Sequence, residues 1–161
     1  MKVLYIHQYF KTPEEGGSLR SYYLAKALVS VGLEVEMITA HARKKYIYRE
    51  IDGIRVHYLP VYYDNSLGFW GRIYAFAKFL VLSYRCARKI RDVSLCYASS
   101  TPLTVGLVAL GLRARFGLPY FFEVRDLWPE APIQMGVIRN RLLKNLLCYL
   151  EKKFINKPAH W

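Results

Sequence analysis

Short apolar runs alternate along the chain with longer segments in which apolar residues recur every three or four positions. The short runs are typical of buried β-strands, and the longer segments are typical of helices that pack one face on a sheet. The predicted strands are Lys2–His7, Leu33–Thr39, Ile54–Leu59, Ser94–Ala98 and Tyr120–Val124. The predicted helices are Ser18–Val31, Trp70–Arg91, Leu103–Phe116 and Ile138–Ile155. This alternation predicts an α/β fold with a parallel sheet, right-handed crossovers and helices on both faces.

Finer signals lie within this pattern. Gly32 is expected to end the first helix, and the Asp52-Gly53 turn is expected to join the third strand to the preceding segment as a hairpin. Two apolar stripes are expected on the helices, namely Leu24, Ala27, Leu28 and Val31 on the first, and Ile73, Phe76, Ala77, Leu80, Tyr84 and Ala87 on the second.

Length and composition indicate one folded domain over residues 1–161, because the chain has 161 residues of which 53% are apolar. The apolar start gives way to polar residues too early for a signal peptide, so it is interpreted as a strand. Lys78 and Arg85 interrupt the apolar region Ile73–Ala87, which is too short to span a membrane. The sequence therefore predicts a cytoplasmic protein.

The net charge and the spacing of cysteine and histidine residues limit the kinds of partner that the protein is expected to bind. The formal net charge of +12 favours phosphates, anionic lipid or nucleic acid. The chain contains no zinc finger and no RNA-recognition signature, so nucleic acid is not expected as a partner. The three cysteines and four histidines are widely spaced, which indicates a reducing compartment and predicts no metal site.

Charged residues end the last predicted strand. Glu123, Arg125 and Asp126 follow an aromatic and β-branched run, which places them at the carboxyl edge of a parallel sheet, where ligands bind in open α/β folds. In the alternative interpretation, Asp126 only caps the next helix and Pro129 lies in its first turn.

A glycine pair follows the first strand. Gly16 and Gly17 directly precede a helix, whose amino-terminal N–H groups and dipole favour an anion, and Arg20 in the first turn could grip a phosphate. Alternatively, the pair serves only the turn. The loop is neither a dinucleotide-binding G-x-G-x-x-G nor a Walker motif, which disfavours oxidoreductases and nucleoside triphosphatases.

The turn after the fourth predicted strand carries three hydroxyls. Ser99, Ser100 and Thr101 precede Pro102 and could donate to sugar or phosphate oxygens. They could equally begin the following helix as capping residues.

Together these loops resemble one family. The segments His7-Gln8-Tyr9-Phe10, Gly16-Gly17 with Arg20, Ser99-Ser100-Thr101-Pro102 and Glu123-Val124-Arg125-Asp126-Leu127-Trp128-Pro129-Glu130 are similar to the amino-terminal half of family 4 glycosyltransferases. The nearest subgroup makes capsule and O-antigen sugars and includes fucosamine transferases. The resemblance spans essentially the whole chain.

The resemblance implies half of a GT-B enzyme, namely the Rossmann-like acceptor-side domain without its nucleotide-sugar domain, so the isolated half is expected to be inactive. It implies a retaining transfer of a hexosyl or N-acetylhexosaminyl group that requires no cofactor and no metal. By this comparison, Gly16, Gly17 and Arg20 contact the donor diphosphate and Asp126 orients or deprotonates the acceptor hydroxyl. The implied acceptor-binding residues are His7, Ser99, Ser100, Thr101, Glu123, Arg125 and Trp128.

The same comparison implies a lipid-linked acceptor and therefore a peripheral position on the inner face of the plasma membrane. An anionic membrane surface would suit the basic and aromatic second helix. The candidate membrane residues are Phe69, Trp70, Phe79 and Leu82, beside Arg72, Lys78 and Arg85. In the alternative interpretation this helix simply packs on the sheet.

Two other function classes remain compatible with the residues themselves. A free-standing domain that binds phosphate or other anions would use the same glycine loop, and a basic domain that binds nucleic acid would use the same net charge.

Overall fold

Six strands form one sheet in the part of the chain that the computed structural model describes, which is residues 1–17, 19–64, 66–100 and 102–125 together with Asn145 and Tyr149. The strands are β1 (Lys2–Ile6), β2 (Glu34–His41), β3 (Ile47–Ile51), β4 (Ile54–Pro60), β5 (Val93–Ser99) and β6 (Tyr120–Glu123). The helices between them are α1 (Arg20–Ser30), α2 (Phe69–Ala87) and α3 (Val105–Phe116).

The sheet has the order β3-β4-β2-β1-β5-β6. Neighbouring strands are parallel except β3 and β4, which form an antiparallel pair. The chain builds the β2 side of β1 first and then crosses to the β5 side, so the order reverses beside β1. This confirms the predicted α/β class and its Rossmann-like topology. In open α/β sheets ligands bind in a crevice at such a reversal, outside the carboxyl ends of the strands, which here are those of β1 and β5.

Each face of the sheet has its own apolar core, because alternate residues of a strand point to opposite faces. On one face, Tyr5 and Met37 pack with Tyr22 and Ala25 of α1. The other face is covered by α2 and α3 and contains Leu4, Ile6, Ile38, Ala98, Phe79, Val108 and Leu112. Helices therefore cover both faces, as predicted.

The bounds of two helices differ from the prediction. α2 ends at Ala87 because Lys89 N and Ile90 N bond the carbonyls of Cys86 and Ala87, which tightens the chain into turns before β5. α3 begins at Val105, since Val105 N bonds the Pro102 carbonyl in a similar tight turn. The predicted helix 138–155 lies outside the described residues, apart from Asn145 and Tyr149, which are both helical.

The predicted face of α1 was partly wrong. Leu24 and Leu28 pack against the core as expected, but Ala27 is exposed and Val31 is 71% exposed. The buried residues of α1 are Ser21, Tyr22 and Ala25. Of the four residues of β6, only Tyr120 is buried, because β6 ends the described sheet.

Helix α2 is also rotated relative to its predicted orientation. Phe79 is fully buried and Leu82 packs against the same core, so neither can face a membrane. Among the α2 residues whose side chains the structure describes, which leave out Phe69, the exposed apolar ones are Trp70, Ile73, Tyr74, Ala77 and Val81.

The predicted hairpin is confirmed between β3 and β4. Asp52 and Gly53 have φ values of 49° and 77°, the two positive values of a tight hairpin turn whose twist matches its strands. The carboxylate of Asp52 accepts a hydrogen bond from the Tyr22 hydroxyl and lies 3.4 Å from Lys26 Nζ. The turn therefore fastens the hairpin to α1.

Replacing Gly53 with alanine should destabilise the fold for two separable reasons. A non-glycine residue at positive φ costs about 1–2 kcal/mol. In addition, the new Cβ would lie 2.9 Å from Val29 Cγ1. Urea unfolding should show a lower free energy of unfolding for Gly53→Ala. The loss should be smaller in a Val29→Ala background, and equal losses in both backgrounds would rule out the steric part.

Candidate functional site

Polar side chains from three strands converge at the carboxyl edge of the sheet. His7 follows β1, Ser99 ends β5, Glu123 ends β6, and Ser100 and Arg125 lie just beyond these strands. Because β1 pairs with β5 and β5 pairs with β6, residues distant in sequence become neighbours. The sequence prediction that these loops meet at one edge is consistent with this geometry.

Glu123 binds partners from two other elements. Its side chain is 10% exposed, and its Oε1 lies 2.6 Å from Nη2 of Arg20, the first residue of α1. Ser99 Oγ donates to Glu123 Oε2 at 2.7 Å. A largely buried carboxylate requires such compensation, because desolvation penalises the charge. Glu123 therefore links the end of β6 to α1 and to β5.

His7 is buried between a serine and an arginine. Its Nε2 lies 3.0 Å from Arg125 Nη1, and its Nδ1 lies 3.0 Å from Ser21 Oγ. Since a guanidinium can only donate, Nε2 accepts, and the ring proton on Nδ1 is donated to Ser21. Burial, reinforced by the Arg125 charge, lowers the pKa of His7 to about 4. His7 is therefore neutral at physiological pH and holds Arg125, and both of its ring nitrogens already have partners.

The serines after β5 fix the loop after β6. Ser100 Oγ accepts a hydrogen bond from Arg125 N at 2.7 Å, and Ser100 N donates to the Glu123 carbonyl at 2.8 Å. Ser99 and Ser100 do not cap α3, because Thr104 occupies its N-cap position. The hydroxyls of Ser99 and Ser100 thus orient the charged residues.

The glycine pair adopts the backbone that only glycine accepts readily. Gly16 and Gly17 have φ values of 69° and 94°. A Cβ at Gly16 would meet nothing within 4 Å, and one at Gly17 would lie 3.8 Å from Lys11 Cγ. The conformation rather than crowding therefore requires glycine, and the space beside Gly16 is open.

The charges of this edge favour an anion. Arg20 and Arg125 carry two positive charges against the single negative charge of Glu123, and the Arg20 side chain remains 65% exposed. Burial, with a further contribution from Glu123, raises the pKa of Tyr5, which lies beneath the site as a neutral phenol. The charges at this edge therefore favour phosphate oxygens, and the Tyr5 side chain beneath them is uncharged.

Other predicted site residues lie outside the described part of the chain, namely Thr101, Asp126 and Trp128. Within the described residues, no group of three or more histidine, cysteine or acidic side chains could hold a metal ion. The same part of the chain contains no helix with the length and hydropathy to cross a membrane.

Sequence reasoning missed two polar residues of this region, Ser21 and Gln8. Ser21 is fully buried and its Oγ accepts a hydrogen bond from His7 Nδ1. Its sequence signal is a polar residue on the buried side of a helix. Gln8 is 1% exposed and directly follows His7. Its sequence signal is its position at the end of a buried strand.

Comparisons with known proteins identify the family. Residues 15–160 match a family described as a glycosyl transferase 4-like domain. Sucrose-phosphate synthase from Thermosynechococcus elongatus is similar in structure, with a TM-score of 0.66 and 14% identity over 98% of this chain and 40% of that chain. The carboxyl-terminal domain of a hydrogenase from Pyrococcus furiosus has a TM-score of 0.55 and 17% identity over 76% of this chain and 90% of that chain. No curated protein sequence matches.

These structural likenesses show the fold alone, because both identities are low and the two proteins differ in activity. The chain spans 40% of the sucrose-phosphate synthase chain. The match over residues 15–160 carries the family assignment.

The low pKa of His7 predicts an acid-sensitive site. Unfolded histidine binds a proton near pH 6.5, whereas folded His7 does so only near pH 4. The unfolded state therefore binds more protons between these values, and stability falls as the pH falls. The whole difference between these two pKa values corresponds to a loss of roughly 3 kcal/mol in the free energy of unfolding. The free energies of unfolding of wild type and His7→Gln should diverge between pH 6.5 and 4, because glutamine keeps a hydrogen-bond acceptor but does not titrate. Parallel curves would contradict the neutral assignment.

Proposed function

We propose that this chain, which belongs to the glycosyl transferase 4-like domain family, is the acceptor-side domain of a GT-B glycosyltransferase. Its Rossmann-like sheet matches a half-domain of that architecture, and the half proposed here is the amino-terminal one. The observation that carries the proposal is the cationic edge at which His7, Ser100 and Glu123 fix Arg20 and Arg125. The enzyme transfers a sugar from a nucleotide-sugar to a saccharide, and the proposed setting is capsule or O-antigen synthesis.

The family assignment also bears on the two other function classes. An isolated anion-binding domain and a nucleic-acid-binding domain were each compatible with charge alone. The match over residues 15–160 to a glycosyltransferase family favours neither of them.

The donor diphosphate is proposed to bind at the glycine pair. The open space beside Gly16 lets an oxygen approach the backbone, and the amino-terminal end of α1 contributes a favourable dipole. Arg20 begins this helix and stays exposed while it neutralises Glu123, so its guanidinium can also reach a phosphate. This arrangement binds the diphosphate through this chain's own groups, without a metal or a cofactor.

The acceptor is proposed to lie along the loops after β5 and β6. Ser99 and Ser100 hold Glu123 and Arg125 in place there. Thr101 and Trp128 are proposed to complete the acceptor surface, while His7 acts through Arg125. Asp126 follows Arg125 in sequence and is proposed to orient or deprotonate the attacking hydroxyl, with retention of anomeric configuration.

Replacing Asp126 with asparagine tests this chemistry. In the complete enzyme, Asp126→Asn should lower the transfer rate by roughly 10²- to 10⁴-fold while nucleotide-sugar affinity stays near wild type, because only proton handling is lost. Asparagine caps helices about as well as aspartate, so a purely structural role predicts little change.

The measurement is nucleoside diphosphate release from a panel of nucleotide-sugars in the presence of saccharide acceptors. Asp64→Asn is the matched control, because Asp64 is exposed in a surface loop and its carboxylate accepts a hydrogen bond from the nearby Ser66 N. Near-normal turnover of Asp126→Asn would assign Asp126 to the scaffold.

An anionic membrane surface at the cytoplasmic face is the proposed site of action, since the proposed acceptor is lipid-linked. The outer side of α2 supports this: Trp70 is 78% exposed, Tyr74 68% and Val81 44%. The same helix contains three basic residues and no acidic ones. Exposed aromatic residues beside basic residues favour the interface of an anionic bilayer.

Vesicle binding should therefore depend on lipid charge, on salt and on this face of α2. The protein should sediment with phosphatidylglycerol vesicles more than with phosphatidylcholine vesicles, and salt should release it, because each basic residue near the surface contributes about 1 kcal/mol. Tyr74→Ala should weaken binding. Tyr62→Ala, which removes a tyrosine of similar exposure from a loop, is the control. Equal losses from both variants would exclude α2 as the contact surface.

A further inference from the structure

Gln8 is a buried polar residue that the site described above does not use. It is 1% exposed, and among the described residues neither its Oε1 nor its Nε2 has a hydrogen-bond partner. Its backbone, by contrast, is fixed: the Gln8 carbonyl accepts bonds from Thr39 Oγ1 at 3.1 Å and from Ala40 N at 3.2 Å. The main chain is therefore anchored while the carboxamide is unsatisfied.

This situation is unfavourable for the folded protein. A buried amide without partners loses its hydration and gains nothing in return, whereas an apolar side chain of similar shape would lose nothing. Unsatisfied buried groups are rare in folded proteins, and they concentrate where function requires them. A ligand that supplies the missing bonds would explain a glutamine at this position.

The position of Gln8 places it beside the crevice. It follows β1 at the carboxyl edge, next to the end of β5. Thr104 Oγ1 at the start of α3 is likewise buried and lacks a partner among the described residues. Glu123 Oε1 also lacks a hydrogen bond, but it forms the ion pair with Arg20. Gln8 and Thr104 are thus neutral polar groups without partners at an edge whose other polar residues are charged or bound to charges.

The chemistry of a carboxamide selects the ligand. It carries no charge and presents a donor and an acceptor together, as sugar hydroxyls do, whereas a phosphate presents only acceptors. We propose that Gln8, with Thr104, forms a neutral subsite that recognises hydroxyl groups of the saccharide acceptor. This inference rests on the proposed glycosyltransferase function. Because the carboxamide is covered in the free domain, saccharide binding requires Gln8 to turn into the crevice, and no existing hydrogen bond of its side chain opposes that rotation.

The test compares stability with substrate discrimination in Gln8→Met, an apolar residue of similar length. Thermal unfolding is measured on the complete enzyme. Initial rates are then measured with a panel of UDP- and GDP-hexoses and with methyl hexopyranosides and their monodeoxy analogues as acceptor probes. Thr39→Val is the stability control, because it removes a buried hydroxyl that does have partners.

We expect Gln8→Met to raise the melting temperature and Thr39→Val to lower it. Gln8→Met should also raise KM for the methyl glycoside by about tenfold or more, since recognition of a hydroxyl is lost. Wild type should discriminate against one monodeoxy analogue, and Gln8→Met should not. Thr104→Val should show the same pair of effects at a different hydroxyl, which keeps the test decisive if Gln8→Met does not fold.

Three results would overturn the inference. A lower melting temperature for Gln8→Met would mean that the carboxamide is satisfied in the protein. Unchanged KM and unchanged discrimination in an active enzyme would mean that Gln8 does not contact the saccharide. A wild-type enzyme that transfers to no probe would instead contradict the proposed function, and this inference would fail with it.

Discussion

The contact between Glu123 and Arg20 is the interaction on which the candidate site depends. It joins the end of β6 to the start of α1, two elements separated by about 100 residues in sequence, at the carboxyl edge of the sheet. The Glu123 side chain is 10% exposed, so its contacts with Arg20 and Ser99 offset the cost of removing a carboxylate from water. The same pairing brings the glycine loop and the loop after β6 to one side of the sheet.

The polar side chains at this edge form a charged set and a neutral set, and the two sets differ in how the protein holds them. Arg125 is held by a histidine kept neutral through burial, so the bond between them does not compete with a second positive charge. Gln8 and Thr104 have no such support from their surroundings. The charged groups are fixed by contacts within the protein, whereas the proposed neutral subsite depends on partners that a saccharide would supply.

The features of the fold that depend on local sequence were predicted correctly. The alternation of strands and helices, the Asp52-Gly53 hairpin and the meeting of three loops at one edge follow from periodicity and turn chemistry. The pairing of Arg20 with Glu123 and the rotation of α2, which buries Phe79, could not be predicted, because both depend on contacts between distant segments. Gln8 carried no periodic signal, since its significance lies in partners that it lacks.

The contacts between the β3–β4 turn and α1 also affect the loop that contains Gly16 and Gly17. Tyr22 and Lys26 attach α1 to Asp52, and Gly16 and Gly17 stand just before the same helix. A helix anchored at these two positions is restrained, and this restricts the loop that leads into it. Under the proposed function, a stable hairpin therefore lowers the entropy that a ligand at this loop would cost, and hairpin stability contributes to the binding affinity.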